Sequence, residues 1–101
     1  MLEDVAGFDW DAANRKKCEQ HGVPLAEIEE LFVRTVLLVP DHAHSHRETR
    51  IRAIGKTGHG RSVFLVFTIR ENGGKRFIRP ISARYMHRKE VDSYEKENPG
   101  L

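Results

Sequence analysis

Apolar residues along this chain follow two periods. Between Asp11 and Phe32 they return at three- and four-residue spacing, and from Thr35 to Arg84 they fall in short β-branched and aromatic runs separated by polar, glycine-containing breaks. The first spacing belongs to helices and the second to strands. "GFDWD" reads as a short extended lead-in whose Phe8 and Trp10 point the same way; Asp11 then caps a helix running to about His21, and Gly22 supplies a left-handed stop. "VPLAEIEELF" restarts as a second helix, with Pro24 near its first turn and Leu25, Ile28, Leu31 and Phe32 on one apolar face. That stripe is a core face rather than a cofactor box.

Four strands are expected next: Thr35 to Pro40, about Thr49 to Lys56, Ser62 to Arg70, and Arg76 to Arg84. The breaks "TGHGR" and "ENGGK" separate the last three, and Asn72-Gly73 signals a tight hairpin. An antiparallel meander follows. "MHRKEVDSYEKENPG" returns to helical spacing with Val91 and Tyr94 on one side, and Pro99-Gly100 ends it. The expected fold is α+β: two N-terminal helices, a four-stranded antiparallel sheet and a C-terminal helix. Pro80 lies inside the last expected strand, where it removes a ladder hydrogen bond and implies an edge position or a bulge. Simple alternation puts Phe77, Arg79, Ile81 and Ala83 on one face, and Arg76, Ile78, Ser82 and Arg84 on the other, provided no bulge shifts the count.

Length changes the picture only by limiting it. A chain of 101 residues has material for one core, so residues 1–101 are read as a single domain. No apolar run approaches the roughly 20 residues of a membrane span, and the N-terminus lacks the basic start and apolar stretch of a secretory signal. The single Cys18 has no internal disulfide partner, so a cytoplasmic protein is expected.

Charge changes the picture more. The formal net charge of +2 conceals a division: residues 1–41 sum to −5, residues 42–89 to +10, and residues 90–101 to −3. A cationic middle block between acidic ends forms either a face that attracts polyanions or a sheet surface whose arginines pair with the acidic helices. Six histidines raise a metal hypothesis, centred on His42, His44 and His46 in "HAHSH". A structural zinc site usually has a fourth Cys or His ligand, and Cys18 is distant in sequence, so a solvated loop is the preferred reading and no metal or cofactor is expected.

The remaining candidates suit phosphate chemistry. His21 stands at a helix end that favours the protonated ring, either as a cap or as a functional group, and Lys17 lies one turn earlier on the same face. Glu48 is either a loop carboxylate paired with Arg50 or Arg52, or a general base among arginines. RNA cleavage through the 2′-hydroxyl needs a base, an acid and cations for an anionic transition state, and arginine's planar fork suits the last task. Arg84, with Arg70 and Arg79 near it in the meander, would supply such a cluster. Trp10 and Tyr85 could stack a splayed base, although a core or interface position is the commoner role for Trp10.

"FDWDAANRKKCEQHGV", "ETRIRAIGKT", "VFLVFTIR" and "RPISARYMHRKEVDSYE" together resemble, in order and over most of the chain, the BrnT family of type II toxin–antitoxin toxins, relatives of RelE-like ribonucleases. The resemblance implies an α+β ribonuclease that blocks translation. It also implies a partner, a BrnA-type antitoxin with a ribbon-helix-helix DNA-binding domain, in a heterotetramer. It places Trp10, Asp11, His21, Glu48, Arg50, Arg70, Arg79 and Arg84 at motif positions, and departs at Asn14 and Cys18. The expectation is metal-independent endonucleolytic cleavage of RNA. Arg79 and Arg84 would clamp phosphate, Glu48 and His21 would act as acid–base groups, and Lys17, Arg50, Arg70 and Tyr85 would bind substrate. The alternative is a non-catalytic module that binds antitoxin or nucleic acid and acts as a co-repressor.

Overall fold

Among the described residues five strands, not four, build the sheet. A computed structural model describes residues 4–34, 36–42 and 47–99. In chain order the elements are β1 (Val5–Phe8), α1 (Ala12–Glu19), α2 (Leu25–Leu31), β2 (Val36–Pro40), β3 (Ile51–Lys56), β4 (Ser62–Asn72), β5 (Lys75–Tyr85) and α3 (Arg88–Glu97). The strands lie in the order β1-β5-β4-β3-β2. The expected antiparallel meander is β2 to β5, and the hairpin between β4 and β5 turns on Gly73 and Gly74, whose φ values of 61° and 78° are those of a two-residue primed turn.

β1 corrects the expectation of an all-antiparallel sheet. It pairs parallel to β5, with Gly7 opposite Phe77 and Phe8 opposite Ile78, and the Asp9 amide continues the ladder to the Ile78 carbonyl at 2.8 Å. Parallel neighbours need a long crossover, here the whole intervening chain, so no local pattern announces the pairing.

One face of the sheet carries Val63, Leu65 and Phe67 of β4, with Ala53 of β3 and Ile78 and Ala83 of β5, all buried. Cys18 of α1, Val23, and Ile28 and Leu31 of α2 complete this core, and Phe32 meets Phe8 and Phe67 edge-on at 5.7 and 5.2 Å between ring centres. The two N-terminal helices therefore cover this face. Gly22, at φ 82°, turns the chain between them.

The start of α1 is tied down through a reciprocal cap. Asp11 Oδ1 accepts from the Asn14 amide at 2.9 Å, while the Asp11 amide donates to Asn14 Oδ1 at 2.7 Å. Asn14, only 5% exposed, then gives both protons of its side-chain amide away, to the carbonyls of Asp9 and Pro80, each at 2.9 Å. One side chain thus joins the end of β1, the first turn of α1 and the middle of β5.

Candidate functional site

Register decides where the arginines point. Along β4 and β5, Phe67 opposes Pro80 but Val66 opposes Ser82, so Ile81 is an inserted bulge residue. The bulge lies just past the last residue paired with β1, where a proline without an amide proton costs no ladder bond to that strand. Its effect overturns the simple alternation. Ala83 joins Ile78 and Pro80 on the core face, whereas Arg84, opposite Phe64, joins Arg79, opposite Thr68, on the other.

Beside the bulge opens a cleft of about 220 Å³. Lys17 of α1, Glu48 and Arg50 of the segment before β3, Arg70 of β4 and Arg79 of β5 line it, over a floor that includes Asn14, Pro80 and Ile81. Five of the eight residues expected from the sequence to act on RNA therefore meet in one place. Four are cations from four separate segments, and the fifth is the carboxylate among them.

Two of these arginines are held by carboxylates. Arg79 is the more enclosed, with its side chain 18% exposed; its guanidinium lies 2.9 Å from Asp11 Oδ2 and 3.5 Å from Asp9 Oδ2. Asp11 thus caps α1 with one oxygen and orients Arg79 with the other. The Asn14 amide first, and Arg79 second, hold its carboxyl below the ordinary range. Arg70 reaches Glu48 through Nε at 3.2 Å and a terminal nitrogen at 3.1 Å, both to Oε2. Glu48 Oε1 is engaged by neither contact. Of the two partners expected for Glu48, Arg52 turns instead to the buried Asp41 at 3.1 Å.

Arg84, Tyr85 and His21 stand apart from the cleft. Arg84 makes two hydrogen bonds to Glu90, at 2.8 and 2.9 Å, and its guanidinium lies 4.7 Å above the Phe64 ring. That fork, and after it the His87 amide, pull the Glu90 carboxyl down to about 2. The Tyr85 hydroxyl donates to Glu27 at 3.0 Å and Arg61 covers the ring at 3.8 Å, which places it in a packed cluster with α2 rather than on a base-stacking surface. Burial, followed by the Glu27 carboxylate, raises its phenol above the ordinary range. His21 is exposed in the turn after α1, 3.2 Å from the Gln20 side chain. Trp10 packs against the core and donates to Glu29 at 2.9 Å.

Of the histidine tract, His42 is exposed, while His44 and His46 lie outside the described residues. Among the described residues no three His, Cys, Asp or Glu side chains gather to hold a metal ion, and no helix is long and apolar enough to cross a membrane. Cys18 is a core residue, its thiol pushed up to about 11 chiefly by burial.

Sequence reasoning missed Asp9 as a partner of Arg79, and Asn14 as the tie beneath the cleft. The signal for Asn14 was present: a polar side chain three residues after a capping Asp, on a helix face that also carries the buried Cys18. Residues 10–90 match a family model described as the ribonuclease toxin, BrnT, of type II toxin–antitoxin systems. Comparison with curated proteins returned no match.

Proposed function

Since the chain belongs to the BrnT family of type II toxin–antitoxin ribonuclease toxins, we propose that the cleft of Lys17, Glu48, Arg50, Arg70 and Arg79 cuts RNA internally, without a metal, and so inhibits translation. The convergence of four cations around one carboxylate in that cleft supports this reading. A phosphodiester would sit among the cations. Glu48 Oε1 takes the proton from the 2′-hydroxyl, and the 2′-oxygen attacks the adjacent phosphorus. The bond from phosphorus to the 5′-oxygen breaks, leaving a 2′,3′-cyclic phosphate on one fragment. The departing 5′-oxygen takes a proton from Lys17 on the α1 wall. Arg79, held from behind by Asp9 and Asp11, and Arg50 and Arg70 bear on the charge that grows on the non-bridging oxygens.

Arg84 acts at a distance in this scheme, setting the junction of β5 and α3 through Glu90. His21, one turn from Lys17 and exposed beside Gln20, offers a further hydrogen-bonding group along α1 outside the cleft. The partner would be an antitoxin of the BrnA type with a ribbon-helix-helix domain, assembled as two toxins with two antitoxins. It would neutralise the toxin by covering the basic cleft. The test is incubation of the purified protein with RNA in chelator. Discrete fragments ending in 2′,3′-cyclic or 3′-phosphate, lost in Glu48→Gln and Arg79→Ala proteins that remain folded, are expected; RNA left intact overturns the proposal.

A second reading draws on the ion pairs themselves. Arg70, Arg79 and Arg84 each already contact a carboxylate, as in a surface built to exchange those partners for an acidic segment or a DNA backbone. Salt-sensitive binding without fragments would favour this co-repressor module.

A further inference from the structure

Next to the cationic cleft lies a second hollow, of about 160 Å³, bounded by Phe8, Asp9, Trp10, Arg70, Asn72 and Phe77. The two share a single side chain, Arg70. Their chemistry differs sharply: one is walled by cations, the other by three aromatic rings with an acid and an amide at hand. Phe77 opposes Arg70 across β4 and β5, and its neighbour on the other side, in β1, is Gly7. A side chain at Gly7 would meet nothing within 4 Å, and its φ is not in the left-handed region. The backbone therefore does not require glycine there, and the space beside the half-buried Phe77 at the sheet edge is open. Trp10 is fixed by its bond to Glu29. A ring already held in place loses little freedom when a planar group stacks on it.

We propose that this hollow is a nucleobase subsite that takes the base of the nucleotide whose phosphate lies in the adjoining cleft, and that Asp9 selects guanine there. The proposal rests on the ribonuclease reading for its substrate class, and on the two joined hollows for its geometry. A carboxylate only accepts hydrogen bonds. Guanine alone among the four bases presents two neighbouring donors on its pairing edge, N1–H and the N2 amino group, which match the two oxygens of Asp9, Oδ2 keeping its 3.5 Å contact with Arg79 through a second lone pair. Its O6 would face the Asn72 amide. Adenine and cytosine set a ring-nitrogen acceptor beside their amino group, and uracil flanks its one N–H with two carbonyls, so each turns a lone pair toward the acid.

Trp10 is the only tryptophan, so its fluorescence reports on this hollow directly. The protein is titrated with the 3′-monophosphates of guanosine, adenosine and uridine, and with ribose 5-phosphate. Saturable quenching by guanosine 3′-monophosphate, about ten-fold tighter than with the other two nucleotides and absent with ribose 5-phosphate, is expected from a two-bond match to one base. Asp9→Asn should bring the three nucleotides to similar affinity. Phe77→Ala should weaken all of them, with Phe77→Leu retaining the fold if the smaller residue does not. Equal affinity for the three bases, or for ribose 5-phosphate, overturns the subsite. Guanosine binding in a protein that leaves RNA intact retires the ribonuclease reading and keeps the subsite, whereas RNA cut with no guanine enrichment at the ends does the reverse.

Discussion

The side-chain amide of Asn14 donates at 2.9 Å to the carbonyl of Pro80, 66 residues further along the chain. This bond, with its companion to Asp9, fastens the first turn of α1 to the bulge that turns Arg79 and Arg84 to one face. Asn14→Ala leaves two carbonyls without their donor in a buried setting, a loss of about 1–3 kcal/mol. That is a fall in melting temperature of about 4–8 °C for each kcal/mol in a domain of this size. Asn14→Asp keeps the shape but turns a carboxylate toward those carbonyls. Thermal melts should rank it below Asn14→Ala at neutral pH and show it recovering as the solution is acidified.

Arg79 and Arg84 separate the cleft from the helix junction. Arg79→Lys keeps the charge but loses the planar fork, so RNA cleavage should fall by about ten-fold or more while the melt stays near that of the parent. Arg84→Ala should instead loosen the start of α3, seen as faster amide exchange there, with a smaller loss of cleavage than Arg79→Ala. Cleavage abolished by Arg84→Ala at unchanged helix protection would move Arg84 into the catalytic group. Asp11→Asn retains an N-cap and withdraws the charge facing Arg79, so phosphate should bind more tightly.

What the sequence could disclose followed the range of its forces. Leu25, Ile28, Leu31 and Phe32 marked α2 because helical spacing is local, and the β-branched runs marked β2 to β5 for the same reason. Val5 to Phe8 carried no such mark: four residues are too few for a period, and their partner strand is about seventy positions away. Pro80 implied an edge position or a bulge without saying that Ile81 would be the extra residue, so an alternation that held only without a bulge gives Ala83 and Arg84 the opposite faces. The charge blocks left open a face that attracts polyanions or arginines paired with the acidic segments. Arg52, Arg79 and Arg84 of the cationic block do pair with Asp41, with Asp9 and Asp11, and with Glu90. The partners in the cleft, Glu48 for Arg70 and Asp9 with Asp11 for Arg79, depend on how the sheet and α1 meet, and no spacing rule carries that information.

Acid should weaken the fold through Glu90 and Asp11, the arginine-held carboxylates that folding lowers. Glu90 has its carboxyl at about 2 in the folded protein against an ordinary 4.5, with Arg84 the leading cause. A depressed carboxylate stabilises the fold above its unfolded value, and that contribution is lost as the pH falls from about 4.5 toward 2. Asp11, also lowered, works in the same direction. Because the Arg84–Glu90 pair is about one-third exposed, its share should stay under about 1 kcal/mol. Melts of the parent and Glu90→Gln across this window should differ most near neutrality and converge at the acid end. A constant difference would place the effect of Glu90 in packing rather than charge.

Salt dependence offers a count of the cations that grip RNA. Each phosphate neutralised on a single strand contributes about −0.7 to the slope of log affinity against log salt, because bound counterions are released. Lys17, Arg50, Arg70 and Arg79 line the cleft, whereas Arg84 lies outside it and is committed to Glu90. Lys17→Ala should therefore flatten the slope by about 0.7 as well as weaken binding, and Arg84→Ala should leave the slope unchanged. The contrast is informative because both replacements remove one positive charge from the same small protein. A general effect of net charge would alter the two slopes alike, and only a phosphate seated in the cleft would distinguish them. Filter binding of a short, uncleavable 2′-deoxy strand over a series of salt concentrations measures both slopes without interference from cleavage.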